Sequence, residues 1–143
     1  MTEQRRNVQV TFDAADPNRL AAWWAALLGY EVEDVHDAVT EMLGAGTIAE
    51  GDVTTFGGRR CFADGAAASD PTGLGPRLYF QRVPEPKTAK NRVHLDVPLA
   101  AGRLEDEVAR LVGDGATLVG YESQLDHRWA VLADPEGNDF CLH

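Results

Sequence analysis

Cysteine, positive charge and long apolar runs are all scarce in this sequence. Its 143 residues include two cysteines, Cys61 and Cys141, which are too few for a disulfide framework. The 13 lysines and arginines are outnumbered by 23 aspartates and glutamates, and a net charge of −10 would repel nucleic acids and anionic membrane surfaces. No stretch approaches the roughly 20 apolar residues of a membrane span, and no secretory signal pattern is present. We therefore expect a cytoplasmic protein with free thiols and with neither a nucleic-acid nor a membrane partner.

The glycines also lack a phosphate-binding pattern. Gly44, Gly46, Gly57 and Gly58 match neither a Walker motif nor a dinucleotide fingerprint. A hydrophobic content of 44% and a charged content of 25% are ordinary for a globular protein. The length allows one domain, or two small halves that share a core.

Alternation of period two marks the start of both halves of the chain. Residues 7–13 place Val8, Val10 and Phe12 on one side, and residues 92–97 alternate in the same way. This pattern is typical of a strand that has one face on a core. Each half is therefore predicted to open with a strand whose other face is polar.

A helix is predicted after each of these strands. In the first half Asp16 suits the N-cap, Pro17 suits the first helical position, and Gly29 suits the left-handed end. Apolar stripes of helical spacing follow in both halves; they are Leu20, Trp23, Trp24, Leu27 and Leu28, and Leu104, Val108, Leu111 and Val112. We expect Trp24 to pack on a sheet.

Further strands and a repeat complete the prediction. The strands are expected at residues 30–35, 59–63, 78–83, 116–121, 129–133 and 139–142, with a short helix near residues 38–43 and a loop at residues 64–76. Residues 70–73 (Asp-Pro-Thr-Gly) match residues 134–137 (Asp-Pro-Glu-Gly), and Gln9 is taken as the equivalent of His94. Matches in the same order predict an α+β fold of two βαβββ modules, residues 7–83 and 92–143, with residues 84–91 as a linker.

A βαβββ module covers one face of its sheet with a helix and leaves the other face open. Two such modules can form a curved mixed sheet around a trough, which is the usual kind of small-molecule site. The alternation places eight polar or aromatic side chains on the open faces; they are Gln9, Thr11, Tyr79, Gln81, His94, Asp96, Asp139 and Cys141. Trp129 is a further candidate for stacking on a ligand, with core or hairpin packing as the alternative.

The chain resembles the vicinal oxygen chelate superfamily, and most closely its small glyoxalase-like and bleomycin-resistance-like proteins. The resemblance lies in residues 16–17 and 23–30, residues 78–84, residues 91–96 and residues 134–138, and leaves out roughly residues 37–65. It implies the fold predicted above. It leaves the activity open, since many chemistries share this scaffold.

Metal-dependent members of that superfamily have four ligand positions, which by resemblance fall on Gln9, Gln81, His94 and Cys141. None of the four is a carboxylate, so the charge of a divalent ion would not be neutralised. We therefore expect no tightly held metal, with a divalent metal at these degenerate positions as the alternative. Asp96 and Asp139 each lie two residues along the same strand face from His94 and Cys141, and they could hold a metal at a displaced site.

The resemblance also gives the expected function. We expect a small organic ligand, aromatic or cationic, to bind in the trough, as in drug sequestration. The alternative is a metal-dependent lyase, isomerase or dioxygenase. His94 is then either a hydrogen-bonded strand histidine or a ligand contact, and Cys141 either a small buried residue or a thiol activated by His94. A homodimer is expected, because members of the superfamily commonly pair.

Overall fold

The computed structural model describes residues 4–143, and the chain divides into two compact units, Met1–Pro86 and Lys87–His143. Each unit contains one four-stranded mixed sheet and a long helix. No helix within the described part of the chain combines the length and the apolar character needed to cross a bilayer.

The first unit contains six strands and two helices. In chain order they are β1 (Val10–Ala14), α1 (Pro17–Leu28), β2 (Glu31–Val32), α2 (His36–Gly44), a 3₁₀ turn (Glu50–Asp52), β3 (Val53–Phe56), β4 (Arg59–Phe62), β5 (Gly65–Ser69) and β6 (Leu78–Arg82). The main sheet has the order β1-β6-β5-β2, in which β1 runs parallel to β6 and the other pairs are antiparallel. Strands β3 and β4 form a separate hairpin.

The second unit repeats this plan without the hairpin. Its elements are β7 (Leu95–Val97), α3 (Leu104–Gly113), β8 (Thr117–Gln124), β9 (His127–Ala133) and β10 (Asp139–Leu142). The sheet order is β7-β10-β9-β8, and the first strand of the module along the chain, β7, again runs parallel to the last, β10. Both units are therefore βαβββ modules, and the predicted fold class is confirmed. We call residues 33–64, which lie between β2 and β5, the insert of the first module.

Helix α1 holds the first module together. The Asp16 carboxylate accepts a hydrogen bond from the Arg19 N–H at 3.2 Å, and Gly29 ends the helix with a φ of 70°. Its apolar face buries Trp24 completely, as predicted. Against it lies Phe12, whose ring centroid is 5.2 Å from that of Trp24 and 5.0 Å from that of Phe80.

Helix α3 covers the sheet of the second module in the same way. Val108 and Leu111 are buried on its inner face. The two glutamates and the aspartate of its first turn interact favourably with the positive end of the helix dipole. On the sheet, Phe140 is fully buried at the position that Phe80 takes in the first module. Apolar burial between one helix and one sheet face therefore stabilises each module.

The turn before the last strand is the same in both modules. In the first, the Asp70 carboxylate accepts from the N–H of Thr72 at 2.8 Å and from that of Gly75 at 2.6 Å. In the second, the buried Asp134 accepts from the N–H groups of Glu136 and Asn138 at 2.9 and 3.0 Å. The matching Asp-Pro-x-Gly sequences therefore encode matching turns.

Three local predictions were wrong. Residues 65–69 form β5 rather than part of a loop, because their small side chains lie between β6 and β2 beneath α1. The opening strands start later than predicted, at Val10 and at Leu95, and Val8 and Val93 are 70% and 79% exposed instead of buried. The strand expected at residues 30–35 is only Glu31–Val32.

Candidate functional site

A cavity of about 640 Å³ lies within the first module. One wall is the open face of the main sheet, which Gly65, Ala67 and Tyr79 line. The insert contributes Phe56 and Phe62 of the hairpin, whose strand register places the two side chains on opposite faces of the hairpin. The hairpin therefore turns part of an open sheet face into a half-open cavity whose lining includes aromatic side chains from both the sheet and the insert.

Tyr79 is positioned by the absence of a side chain at Gly65. The two residues lie on the same face of adjacent strands, since Gly65 pairs with Gln81 and Ala67 with Tyr79. A Cβ atom at Gly65 would lie 2.3 Å from the Tyr79 hydroxyl oxygen. Glycine at this place therefore lets the ring lie across β5.

Two ion pairs flank the cavity where β2 leads into the insert. Arg59 of the hairpin contacts the Asp34 carboxylate at 2.7 Å, and Arg77 contacts Glu33 at 2.8 Å. The backbone N–H of His36 and the Arg59 guanidinium both donate to Asp34, which lowers the pKa of that carboxyl. All four side chains are partly exposed, so these pairs orient the lining and add little stability.

Hydrogen bonds fasten the hairpin to both helices of the module. The Asn18 amide of α1 donates to the Phe62 carbonyl at 3.0 Å, and the Arg60 N–H donates to Nδ1 of His36 in α2 at 2.9 Å. The Ala63 N–H donates to the Asp52 carbonyl at 2.9 Å, which extends the ladder of the hairpin itself. Asn18 is one of the few buried polar residues, which shows that this attachment lies against the core.

The predicted site residues of the first module do not converge on one point. Gln9 accepts a hydrogen bond from Arg77 at 2.9 Å, while the Gln81 amide donates to Asp13 at 2.8 Å. Thr11 pairs with Tyr79 midway between these contacts. Gln9 and Gln81 are therefore separated by four positions along the ladder, about 13 Å. Of the predicted residues in this module, only Tyr79 lines the large cavity.

In the second module the structure brings together His94, Asp96 and Cys141, which we call the donor cluster. One ligand-type atom from each lies within 4.8 Å of the others, and Nε2 of His94 is 3.3 Å from Oδ1 of Asp96. Burial raises the pKa of the Cys141 thiol, and the nearby Asp96 carboxylate raises it further. A thiol held protonated in this way is a poor nucleophile, so the activation of Cys141 by His94 is not supported.

The strand registers correct the predicted equivalence of Gln9 and His94. Cys141 pairs with Asp96 in the second module, and Gln81 pairs with Asp13 in the first. The structural equivalent of His94 is therefore Thr11, two residues after Gln9. A shift of two residues keeps each side chain on the same face, which is why alternation alone could not detect it.

Trp129 belongs to an aromatic group at the end of the second sheet. Its ring centroid lies 5.6 Å from that of His127, and His127 lies 5.7 Å from His143 in an edge-on arrangement. Trp129 is half-buried, whereas both histidines are exposed. This grouping depends on the pairing of β9 with β10, so no local sequence pattern predicts it.

The sequence also missed most of the cavity lining. Phe56, Phe62 and the ion-paired Arg59 lie in the stretch that the resemblance did not cover. The sequence signals in this stretch are the Gly57-Gly58 pair and the apolar residues on either side of it, which are typical of a hairpin. In the structure the two glycines form the turn, with φ values of 57° and 77°. These signals predict a hairpin but not the surface on which it packs.

The donor cluster fits a divalent ion of the zinc type. Imidazole nitrogen, carboxylate oxygen and thiolate sulfur are all zinc ligands, and three protein ligands leave a fourth position open. Binding would require Cys141 to lose its proton, and a bound cation favours that loss. The set suits an oxygen-preferring ion such as Mg²⁺ less well, because only Asp96 supplies oxygen.

Comparisons with known proteins agree with the fold. A fosfomycin resistance protein, FosX, from Mesorhizobium loti aligns with a TM-score of 0.62 at 12% identity, covering 100% of this chain and 92% of that one. A glyoxalase/bleomycin resistance protein/dioxygenase family enzyme from Burkholderia phytofirmans aligns with a TM-score of 0.59 at 15% identity, covering 94% of each chain. Identities this low show a shared fold alone. No curated protein sequence matches the chain.

A third structure was solved with a metal. It is a variant of FosX from Listeria monocytogenes, complexed with Mn(II) and 1S,2S-dihydroxypropylphosphonic acid, with a TM-score of 0.61 at 12% identity over 100% of this chain and 92% of that one. The family model described as "Glyoxalase-like domain" matches residues 9–143, nearly the whole sequence. The chain therefore belongs to the glyoxalase-like domain family, within the vicinal oxygen chelate superfamily.

Proposed function

We propose that this protein binds a small organic ligand in the cavity of its first module. The observation that supports the proposal is the cavity itself, about 640 Å³ in volume and lined by both the sheet and the insert. Its size and its mainly apolar lining with a few polar groups are typical of small-molecule sites. Phe56, Phe62 and Tyr79 favour a ligand with a flat apolar body.

The proposal places the ligand in a different part of the fold from the sequence prediction. A trough shared by both modules stays a prediction, whereas the cavity described above belongs to the first module alone. Fosfomycin resistance and bleomycin resistance appear in the names of structural neighbours. Sequestration of a drug-like compound is accordingly the role we propose, with the ligand's identity to be found by screening.

Filling the cavity tests the proposal directly. Ala67 lies in the cavity wall and is nearly buried, so Ala67→Trp should abolish binding of any compound that a thermal-shift screen identifies. Val119→Trp is the matched control, because Val119 is 63% exposed on β8 of the other module. If Ala67→Trp loses stability, Phe56→Asp on the exposed hairpin tests the opposite wall. Unchanged binding in both cavity variants would refute the proposal.

A metal-dependent lyase, isomerase or dioxygenase is the second candidate, and the donor cluster is the observation that favours it. A bound ion would supply Lewis-acid chemistry, and His94, Asp96 and Cys141 would hold it. Calorimetric titration of tag-free protein with Zn²⁺ should then give one site per chain with proton release. His94→Ala should lose the site while His36→Ala keeps it; an equal response of the two variants would exclude the cluster.

The expected homodimer also remains a proposal. Light scattering should give a mass near twice the 15.5 kDa of the chain. A mass equal to that of one chain at all concentrations would exclude it.

A further inference from the structure

We infer that the ligand of the first-module cavity is an apolar ring compound that has a carboxylate group, which Arg77 and Tyr79 bind. This inference rests on the proposed function, because it names the chemical class that the same cavity would accept.

Two hydrogen bonds hold the Arg77 guanidinium in place and leave other N–H donors of the same group available. Its Nε donates to Glu33 at 2.8 Å and its Nη1 donates to Gln9 at 2.9 Å. Among the described residues, Nη2 has no protein partner. Because Glu33 and Gln9 fix the plane of the guanidinium, its remaining donors are directed by the protein before any ligand arrives.

The Tyr79 hydroxyl is the second available polar group. The ring lies beside Arg77, with the guanidinium carbon 5.6 Å from its centroid, and the hydroxyl reaches over Gly65. No hydrogen bond joins this hydroxyl to another side chain in residues 4–143. Among the described residues, no buried side-chain polar atom lacks a hydrogen-bond partner. A hydroxyl without such a partner is therefore not buried, and this one is accessible from the cavity that Tyr79 lines. A hydroxyl donor and a guanidinium donor next to an apolar space match a carboxylate on a flat ring.

The acidic side chains of the lining do not offer an equivalent site for a cation. Glu33 and Asp34 already form ion pairs with Arg77 and Arg59, so an ammonium group would have to displace a guanidinium. Asp64 also lines the cavity, but it is exposed, and water weakens its attraction for a ligand. Three arginines and three carboxylates line the cavity, so its charges are balanced in spite of the net charge of −10, and the preference for an anion comes from the available donors of Arg77 and Tyr79.

Three compounds with one ring system separate the classes. They are 2-naphthoate, 2-naphthalenemethanol and 2-naphthylmethylamine, measured by calorimetry at pH 7 with the intact protein. We expect 2-naphthoate to bind at least about tenfold more tightly than the neutral alcohol, the range expected for hydrogen bonds to a charged group. Equal binding of all three, or tightest binding of the amine, would overturn the inference while leaving the proposed cavity function intact. Binding of none would overturn both.

Variants in strand β6 and at the residue directly before it locate the effect. Arg77→Gln and Tyr79→Phe should each weaken 2-naphthoate selectively, by about tenfold for the arginine and less for the hydroxyl, and leave the alcohol unchanged. Arg82→Gln is the matched control, since Arg82 is on the same strand but outside the cavity. Tyr79→Phe keeps the ring, so it remains informative if Arg77→Gln disturbs Glu33. An equal loss for acid and alcohol in Tyr79→Phe, or an equal effect of Arg82→Gln, would refute the assignment.

Discussion

The two modules share a strand order and differ in what lies over the open sheet face. In the first, 32 residues between β2 and β5 supply a helix and a hairpin, and the hairpin lines part of a half-open cavity. In the second, β8 turns directly into β9, and the open face presents the donor cluster. The helix-covered faces meanwhile keep equivalent aromatic residues, Phe80 and Phe140. The helix-covered sheet face therefore determines the fold of each module, while the open face can carry different functional groups.

Equivalent positions on the open faces show how far this divergence goes. Asp13 and Gln81 pair in the first module where Asp96 and Cys141 pair in the second. The carboxylate is kept, whereas the last strand offers an amide in one module and a thiol in the other. Thr11 takes the place of His94, so the first module lacks the nitrogen and sulfur donors of the second. Within residues 4–143, the donor cluster of the second module is the group of side chains that suits a zinc-type ion.

The largest effect should come from the equivalent buried rings. Phe80→Ala and Phe140→Ala each remove a fully buried side chain, and each should lower the free energy of unfolding by about 3–5 kcal/mol. Urea unfolding followed by circular dichroism measures both. Val119→Ala, at an exposed position, should change stability by less than about 0.5 kcal/mol. A small effect at only one of the two rings would show that the modules do not depend on the same packing.

The two Asp-Pro turns should rank next. Asp134→Ala removes a buried carboxylate that accepts from three donors, including the Asn138 amide at 2.9 Å, and should cost about 2 kcal/mol in unfolding free energy. Asp70→Ala should cost less, because its turn is more exposed and water can replace the lost contacts. Urea midpoints of the two variants give the order. A larger loss of stability in Asp70→Ala than in Asp134→Ala would contradict this difference between the turns.

The Asp70 turn should also depend on pH. Hydrogen bonds from the Thr72 hydroxyl and N–H lower the pKa of Asp70 below its ordinary value. A carboxyl with a lowered pKa in the folded state stabilises fully above its unfolded pKa, and this contribution disappears as the pH falls through the folded pKa. The difference in urea midpoint between wild type and Asp70→Asn should therefore shrink as the pH is lowered below about 4. A constant difference across this range would exclude Asp70 as the titrating group.

A smaller effect is expected at two strand glycines, one in each module. Gly65→Ala would bring its Cβ against the Tyr79 hydroxyl, so the ring must move, at a cost of about 1 kcal/mol and with weaker ligand binding. Gly120→Ala in β8 is the matched control, since nothing lies within 4 Å of its added Cβ. Stability and binding of both variants test the comparison. Equal behaviour would show that Tyr79 does not require the space above Gly65.

The fold could be predicted from the sequence because its signals are local and repeated. Asp16, Gly29 and the apolar stripe of α1 define one helix, and the two Asp-Pro-x-Gly turns mark equivalent places. Strand β5 was missed because Gly-Ala-Ala-Ala-Ser has little strand propensity of its own. It forms a strand because β6 and β2 pair with it on both sides.

The site was less predictable, for two physical reasons. Alternation fixes the face of a side chain but not its register, so Gln9 and Thr11 could not be told apart as the equivalent of His94. The cavity depends on where the hairpin packs, which is a contact distant in sequence, such as that between Asn18 and Phe62. Tyr79 lines the cavity and Asp96 lies in the donor cluster, in agreement with the strand faces that alternation assigns to them; their role in binding stays a prediction.

The two cysteines, one in each module, should show the smallest difference. Burial raises the pKa of both thiols, so both should react with iodoacetamide more slowly at pH 8 than an exposed cysteine, and faster as the pH rises toward the raised values. In Cys141, but not in Cys61, the Asp96 carboxylate adds to this effect. Asp96→Asn should therefore speed the alkylation of Cys141 a few-fold and leave Cys61 unchanged, as peptide mass spectrometry can measure. A parallel change at both cysteines would mean that the substitution loosened the fold, and no change at either would remove Asp96 as a cause.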